Sequence, residues 1–262
     1  DSNRLESIIN LLKKIGDLER LVSKVATGRI NPRELYQLKN SLEPIGSIKT
    51  MLAESSEKCL QQLAKSLNDH EEFIHHVTQS LTDAPPMLLH QGNVIRKGVD
   101  IDLDEYRSLA FSGKDYLIEI QKRESENTGI TSLKIAYNKI FGYYLEVSNT
   151  HKDKVPAGWI RKQTLVNAER YITEELKVYE EKILQAESQL GIIESRLYQE
   201  LVDYSIKHVG RIQEDAKLIA TLDCLTNFAA IASKHRYVCP SLSKASIIDI
   251  KAGRHPVIER LM

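Results

Sequence analysis

Aromatic side chains and cysteines are scarce in this chain of 262 residues. Phe, Trp and Tyr together make up 6% of it, while long stretches consist of Leu, Ile, Ala, Glu, Lys and Gln, a composition that favours helix over sheet. The three cysteines are odd in number and none belongs to a Cys-x-x-Cys pair, which is typical of reduced thiols. We therefore expect a mainly α protein without a disulfide framework.

Long apolar runs and a net charge are also missing. No run approaches the roughly 18 apolar residues that predict a membrane span, and the polar start at residues 1–4 does not resemble a signal peptide. We therefore predict a soluble, cytoplasmic protein with no membrane partner. Overall, 36 basic residues balance 36 acidic ones, but residues 121–170 hold nine basic and five acidic residues. Positive potential is thus concentrated in one segment, although chance can also produce so small an excess.

Known catalytic motifs are not found. Residues 112–115, Ser-Gly-Lys-Asp, contain the Gly-Lys pair of a nucleotide-binding P-loop, but Ser108 stands where that loop needs glycine and Asp115 where it needs Ser or Thr. A second cluster has acids and imidazoles one helical turn apart without the His-Glu-x-x-His spacing, and a solvated helix face explains it better than a metal site. That cluster consists of His70, Glu71, Glu72, His75 and His76. We expect no catalytic residue, metal site or bound cofactor in this chain.

The first part of the chain has the apolar spacing of packed helices. Residues 5–67 predict short antiparallel helices, with starts at Asp17 and at Asn31-Pro32. A further helix is predicted over 48–80, ended by Pro85-Pro86. An extended piece over 87–95 is expected next, followed by a helix capped by Asp102 or Asp104 that reaches Ile120.

A second helical pattern begins at residue 172. Apolar residues recur at spacings of three and four, which predicts a coiled-coil seam; its members are Ile172, Leu176, Tyr179, Ile183, Ala186, Leu190, Ile193, Leu197 and Leu201. A helix over the roughly 30 residues that this seam spans would be a rod about 45 Å long. The helix that ends near Ile120 is its expected antiparallel partner. Gly210 is expected to interrupt this pattern. A helix over 211–235 and a strand over 246–250 should follow.

Between these two helices the period changes to that of strands. Leu133, Ile135 and Tyr137 alternate with polar residues, and the alternation resumes at 143–147 after a turn near 138–139. Residues 159–166 continue the β character. The fold class is therefore mainly α with a small β insertion, a helical core with a long antiparallel two-helix lever that carries the β insertion at its tip.

The β insertion carries side chains that suit phosphate oxygens. Basic residues supply charge, and neutral amides and hydroxyls donate hydrogen bonds that fix register without reading bases. The predicted DNA-binding residues are Lys134, Asn138, Lys139, Arg161, Lys162, Gln163, Thr164, Asn167 and Arg170. The alternative is an ordinary solvated sheet face.

Several segments together resemble the bacterial MutS family of DNA mismatch repair proteins. They are FGYYLEVS at 141–148, RKQTLVNAERY at 161–171 and AGRHPVIE at 252–259. Shorter matches occur at 28–35, 103–106 and 220–223. The Phe-x-Glu of the family's mismatch reader is absent from this chain.

The resemblance implies a fold and a role for each segment. It divides the chain into a helical core with the first lever helix (1–120), a β clamp (121–170), the second lever helix with the return helices (171–245) and the start of an ATPase domain (246–262). It implies a lever and clamp that hold double-stranded DNA through its backbone. For longer family members it also implies a DNA-dependent ATPase that uses ATP and magnesium, forms dimers and recruits other repair proteins.

Two other functions remain open. The arm could be a coiled-coil scaffold that binds a protein partner, or the chain could be an ATPase or nuclease with an unusual site. The lack of a P-loop and of a carboxylate cluster in the β segment weighs against the second alternative.

Overall fold

The computed structural model describes residues 2–138, 140 and 142–261. Five helices come first: α1 Ser2–Leu12, α2 Leu18–Ala26, α3 Pro32–Ala53, α4 Lys58–Ser66 and α5 Glu71–Ser80. The predicted starts are confirmed, since Asp17 caps α2 and Asn31 forms a capping box with Glu34 at α3.

The single helix predicted over 48–80 is wrong, because the chain breaks after Ala53 and again after Ser66. At the second break the backbone N–H of Asn68 and the ring of His70 both reach Asp215, a buried residue far along the chain. Local helical spacing does not reveal such a partner.

The segment before the arm is less extended than predicted. Leu81 and Ile95 form an isolated antiparallel bridge, and residues Leu89–Gln91 form a short 3-10 helix. Helix α6, Ile101–Thr128, continues past Ile120. Its cap is Asp100, whose side chain accepts from the backbone N–H of Leu103, and not Asp102 or Asp104; Asp104 instead accepts from the N–H of Gly98 at 2.7 Å.

The β insertion is a four-stranded antiparallel sheet. Its strands are β1 Lys134–Asn138, β2 Gly142–Ser148, β3 Ile160–Thr164 and β4 Ala168–Ile172, in the order β1-β2-β4-β3. A 3-10 helix, Asn149–Lys154, follows β2. The predicted strands are confirmed, but Ile172 belongs to β4 and not to the helical seam, because Thr173 caps the next helix.

Two long helices follow the sheet, α7 Glu174–Ile206 and α8 Val209–His235, and a short 3-10 helix, Ile258–Arg260, lies near the end of the chain. Gly210 lies inside α8, so the break falls earlier than predicted, at residues 207 and 208. Helices α6 and α7 pack antiparallel, since Arg107 contacts Glu194 while Arg123 contacts Glu175. This helix pair is called the arm below. The predicted fold class, mainly α with a β insertion on a long helix pair, is confirmed.

The buried apolar side chains form two separate clusters. The larger cluster joins α1 to α5 with α8 and the second half of α7, around residues such as Leu38, Phe73 and Leu201. The smaller one packs the sheet, through residues such as Leu145 and Val147, against the ends of the arm helices. The sheet therefore lies at the end of the arm that is remote from the helical body.

The last segment differs from its prediction. Residues 246–250 do not form a strand; Ile247, Ile248 and Ile250 are exposed, and no described strand lies beside them to complete a ladder. Within the described chain, α8 is the one helix long and apolar enough to cross a membrane. Length and composition alone are weak evidence for a membrane span, and one face of α8 packs against α1 and α2 in the helical body.

Candidate nucleic-acid interface

The sheet has two faces with different surroundings. One face carries Leu145 and Val147 and packs on the arm helices. On the opposite face, called the outer face here, the strand register aligns Lys134, Glu146, Arg170 and Gln163 in one row across the four strands. Four of the predicted DNA-binding residues, Lys134, Asn138, Gln163 and Arg170, thus share this face.

Arg170 is held firmly within the outer face. Its guanidinium donates to the Glu146 carboxylate at 3.0 Å and to the Gln163 amide oxygen at 2.9 Å. It also lies over the ring of Tyr144, 4.3 Å from the centroid, an arrangement in which the cation is attracted to the aromatic face. These contacts use two of the five N–H donors of the guanidinium and fix its orientation within the sheet.

Lys134 is in the opposite situation. It is exposed, and no carboxylate lies within ion-pair distance of its ammonium group among the described residues. Asn138, at the other end of β1, accepts from the backbone N–H of Ile140 at 2.8 Å and so supports the hairpin turn. The predicted site residue Lys139 lies outside the described residues.

Two predicted residues face the other way. Arg161 pairs with Tyr171 in the strand register and its guanidinium lies 3.5 Å from the Glu169 carboxylate, while Thr164 pairs with Glu169. Glu169 also accepts a hydrogen bond from the Tyr171 hydroxyl. Burial, together with this carboxylate, raises the pKa of Tyr171 to about 12. Arg161 and Thr164 are therefore not on the outer face.

Lys162 and Asn167 occupy irregular positions. The register shifts between Arg161 and Gln163, so Lys162 sits at a bulge without a pairing partner. Its charge acts on Glu180 of α7, whose pKa burial nevertheless raises above the usual range. Asn167 lies in the β3–β4 turn, where its carbonyl accepts from the N–H of Asn149 at 3.1 Å.

Glu180 also fixes the hairpin end of the sheet to the arm. Its carboxylate accepts from the backbone N–H of Tyr143 at 3.3 Å. The neighbouring Gly142 has a φ of +74°, and a Cβ at that position would overlap the Glu180 carboxylate. Only glycine combines this backbone conformation with so close an approach.

The sequence prediction missed the carboxylates that accompany the cations. Glu146, Glu169 and Glu180 each face one of the predicted basic residues. Local alternation predicted a strand at Glu146 but none at Arg170, and only the pairing of β2 with β4 brings the two residues together. The prediction also left out Lys152 and Lys154, although both contribute to the charge excess of residues 121–170.

The histidine cluster at the start of α5 is not a uniformly solvated face. His75 and His76 are exposed, as expected, but His70 is buried and its Nε2 lies 2.7 Å from an Asp215 carboxylate oxygen. The expectation for His70 was wrong, because α8 covers it. Among the described residues, no group of three or more His, Cys, Asp or Glu side chains is placed to hold a metal ion.

Comparison with known proteins identifies the segment that includes the sheet. A family model described as MutS family domain IV matches residues 98–189, which cover all of α6, the sheet and the first half of α7. The DNA mismatch repair protein MutS of Bacteroides fragilis is 52% identical over 97% of this chain and 30% of its own length. The protein of the same name from Phocaeicola vulgatus is 53% identical over 97% of this chain and 29% of its own.

A third relative agrees with these two. The DNA mismatch repair protein MutS of Porphyromonas gingivalis is 53% identical over 95% of this chain and 28% of its own length. The chain thus spans about 30% of the length of the curated relatives it matches. With identity near one half over nearly all its residues and a domain IV match across the sheet, this chain belongs to the MutS family of DNA mismatch repair proteins.

Proposed function

We propose that the sheet is a clamp that holds double-stranded DNA through its phosphate backbone, and that the arm is the lever that carries it. The supporting observation is the placement of the sheet: it has its own small hydrophobic cluster and exposed cations at the end of the arm remote from the helical body. Lys134 and Lys162 supply charge, while Asn138, Gln163, Thr164 and Asn167 supply neutral groups.

The arm is suited to transmit movement because it is pinned at both ends. Near the body, Glu194 of α7 accepts from Arg107 of α6 at 2.6 Å and from the backbone N–H of Val94 at 3.2 Å. Near the sheet, Glu175 of α7 accepts from the Tyr116 hydroxyl at 2.6 Å and pairs with Arg123. A pair of helices joined in this way moves as one rod.

The remaining roles extend to the longer proteins that this chain matches. Coupling of the arm to an ATPase domain that uses ATP and magnesium, dimer formation and recruitment of other repair proteins belong to this proposal, as does a cytoplasmic location. The basis is the family assignment together with the AGRHPVIE segment at 252–259. The chain itself is proposed to have no catalytic activity.

The test is titration of a labelled, perfectly paired duplex with the chain at about 50 mM and about 200 mM salt. We expect weak binding, in or beyond the range of about 10⁻⁴ to 10⁻⁶ M, that weakens further at the higher salt. A mismatched duplex of the same length should bind equally, because the Phe-x-Glu reader is absent. Tight binding that salt does not change would contradict the proposal.

A coiled-coil scaffold that binds a protein is the second candidate, and one observation favours it. A groove of about 670 Å³ opens between α6 and α7, lined in part by Leu109, Tyr116 and Tyr179. Reversal of Lys134, Lys139, Arg161 and Lys162 to Glu distinguishes the two candidates. Loss of DNA binding supports the clamp, whereas DNA binding that survives while capture of a partner is lost supports the scaffold. A rise in melting temperature with added nucleotide would favour an ATPase instead.

A further inference from the structure

The cations on the sheet differ in whether a carboxylate already neutralises them. Arg170 pairs with Glu146 and Arg161 with Glu169, at 3.0 and 3.5 Å. To bind a phosphate, each arginine has to share or give up a partner that the folded protein supplies. Such a residue gains less from binding DNA than a cation whose only competitor is water.

A different group of cations has no such partner. The 3-10 helix Asn149–Lys154 places Lys152 and Lys154 on the surface, and neither forms an ion pair among the described residues, even with the adjacent Asp153. Lys154 makes one weak contact, with the carbonyl of Gly129 at 3.4 Å. Lys152 makes no side-chain hydrogen bond within the described chain.

The 3-10 helix lies at one end of the sheet, beside the β3–β4 turn and beside Gly129, the residue that follows α6. The Asn149 side chain donates to the carbonyl of Val166 at 2.9 Å, and the Lys154 contact reaches Gly129, which caps α6. This region is called the distal end here. The distal end thus combines two unpaired lysines with Asn167, one of the predicted phosphate-binding residues.

We propose that Lys152 and Lys154 at the distal end form a phosphate-binding patch for duplex DNA, and that Arg161 and Arg170 chiefly hold the sheet together. This inference rests on the proposed clamp function and changes which residues carry it. The DNA backbone then contacts the distal end of the sheet, next to the turn that holds Asn167. Lys134, at the start of β1, is the unpaired lysine of the outer face.

The experiment measures how the binding constant for a plain duplex depends on salt. Each phosphate neutralised contributes about 0.9 to the slope of log K against log salt. The variant Lys152→Gln with Lys154→Gln is expected to lower the steepness of this slope by up to about 1.8. Lys152→Gln alone should lower it by up to about 0.9 and leaves the Gly129 contact of Lys154 intact.

A matched control keeps the change in net charge the same. Lys58 and Lys65 lie exposed on α4 of the helical body and form no ion pair among the described residues. The double variant Lys58→Gln with Lys65→Gln should leave the slope unchanged. An equal fall in both double variants would overturn the inference, because it would reflect net charge alone.

A third variant separates this inference from the clamp proposal. If Lys134→Gln with Lys162→Gln lowers the slope while the Lys152 and Lys154 variants leave it unchanged, the clamp stands and the distal patch is wrong. No binding to the unchanged chain at low salt would overturn both. Thermal melting of every variant near that of the unchanged chain is the folding control, as expected for exposed lysines.

Discussion

Glu194 shows how one residue on a helix surface can join three segments. Its position on α7 lies between two members of the coiled-coil seam, yet its side chain is only 4% exposed. The carboxylate accepts from Arg107 of α6 and from the backbone of Val94, and Arg107 also donates to the carbonyl of Ile95 at 2.6 Å. The base of the arm therefore depends on one buried ionic group.

Replacement of Glu194 with alanine should lower the free energy of unfolding by about 3 kcal/mol, because it removes the acceptor of the Val94 N–H and the buried carboxylate that pairs with Arg107. Glu200→Ala in the same helix is the control. Its carboxylate is 58% exposed and pairs with Arg196 one turn away, so about 0.5 kcal/mol or less is expected. Urea unfolding measures both, and equal losses would refute a special role for Glu194.

The far end of the arm is joined by a different ionic group. Glu175, in the first turn of α7, accepts from the Tyr116 hydroxyl and from the Arg123 guanidinium of α6. These two donors hold the pKa of the Glu175 carboxyl below its ordinary value of 4.5. The rings of Tyr116 and Tyr179 stack beside it with centroids 3.8 Å apart.

The sign of the pH dependence follows from this lowered pKa. The folded state favours the ionised carboxylate, so its stabilising contribution is present above the unfolded pKa near 4.5 and is lost as the pH falls through the folded value. Glu175→Gln should therefore destabilise the chain at pH 7 and differ less from the unchanged protein below pH 4.5. Melting curves across that range measure the gap. Glu174→Gln, an exposed neighbour, should show no such trend.

At the scale of the whole molecule, the two hydrophobic clusters behave as separate units. The sheet cluster holds Leu145 and the body cluster holds Leu38, and both side chains are fully buried. Within the part of the chain that the structure describes, the arm helices alone connect the two clusters. Local opening in proteins follows such divisions, because the few contacts that cross them break first.

Truncation of a core side chain in one cluster should therefore destabilise mainly the segments that belong to that cluster. Leu145→Ala should destabilise the sheet by about 2 to 5 kcal/mol, because it leaves a cavity in the sheet cluster. Hydrogen exchange should then show lost protection in residues 134–172 while α3 stays protected. Leu38→Ala should lower protection in the helical body. A loss of protection in α3 as large as that in the sheet after Leu145→Ala would show a single cooperative unit.

Local patterns in the chain were enough to predict much of this architecture. Asp17 and Asn31 mark helix starts because a cap acts on amides two or three residues away. The alternation at 133–147 predicts the hairpin because successive strand residues point to opposite faces. The seam at 176–201 predicts a long helix because residues three and four apart lie on the same face of a helix. The family resemblance depended on short motifs and needed no structure.

Tertiary structure decided which surfaces stay exposed and which charges stay without an ion-pair partner. The break between α4 and α5 depends on Asp215, which lies 145 residues beyond His70, and no local pattern encodes such a distance. The pairing of Arg170 with Glu146 depends on the register of β2 against β4. The composition therefore gives the number of charges, but not which of them neutralise each other. Sequence alone specifies what lies within a few residues along the chain, whereas contacts between distant segments exist only once the chain has folded.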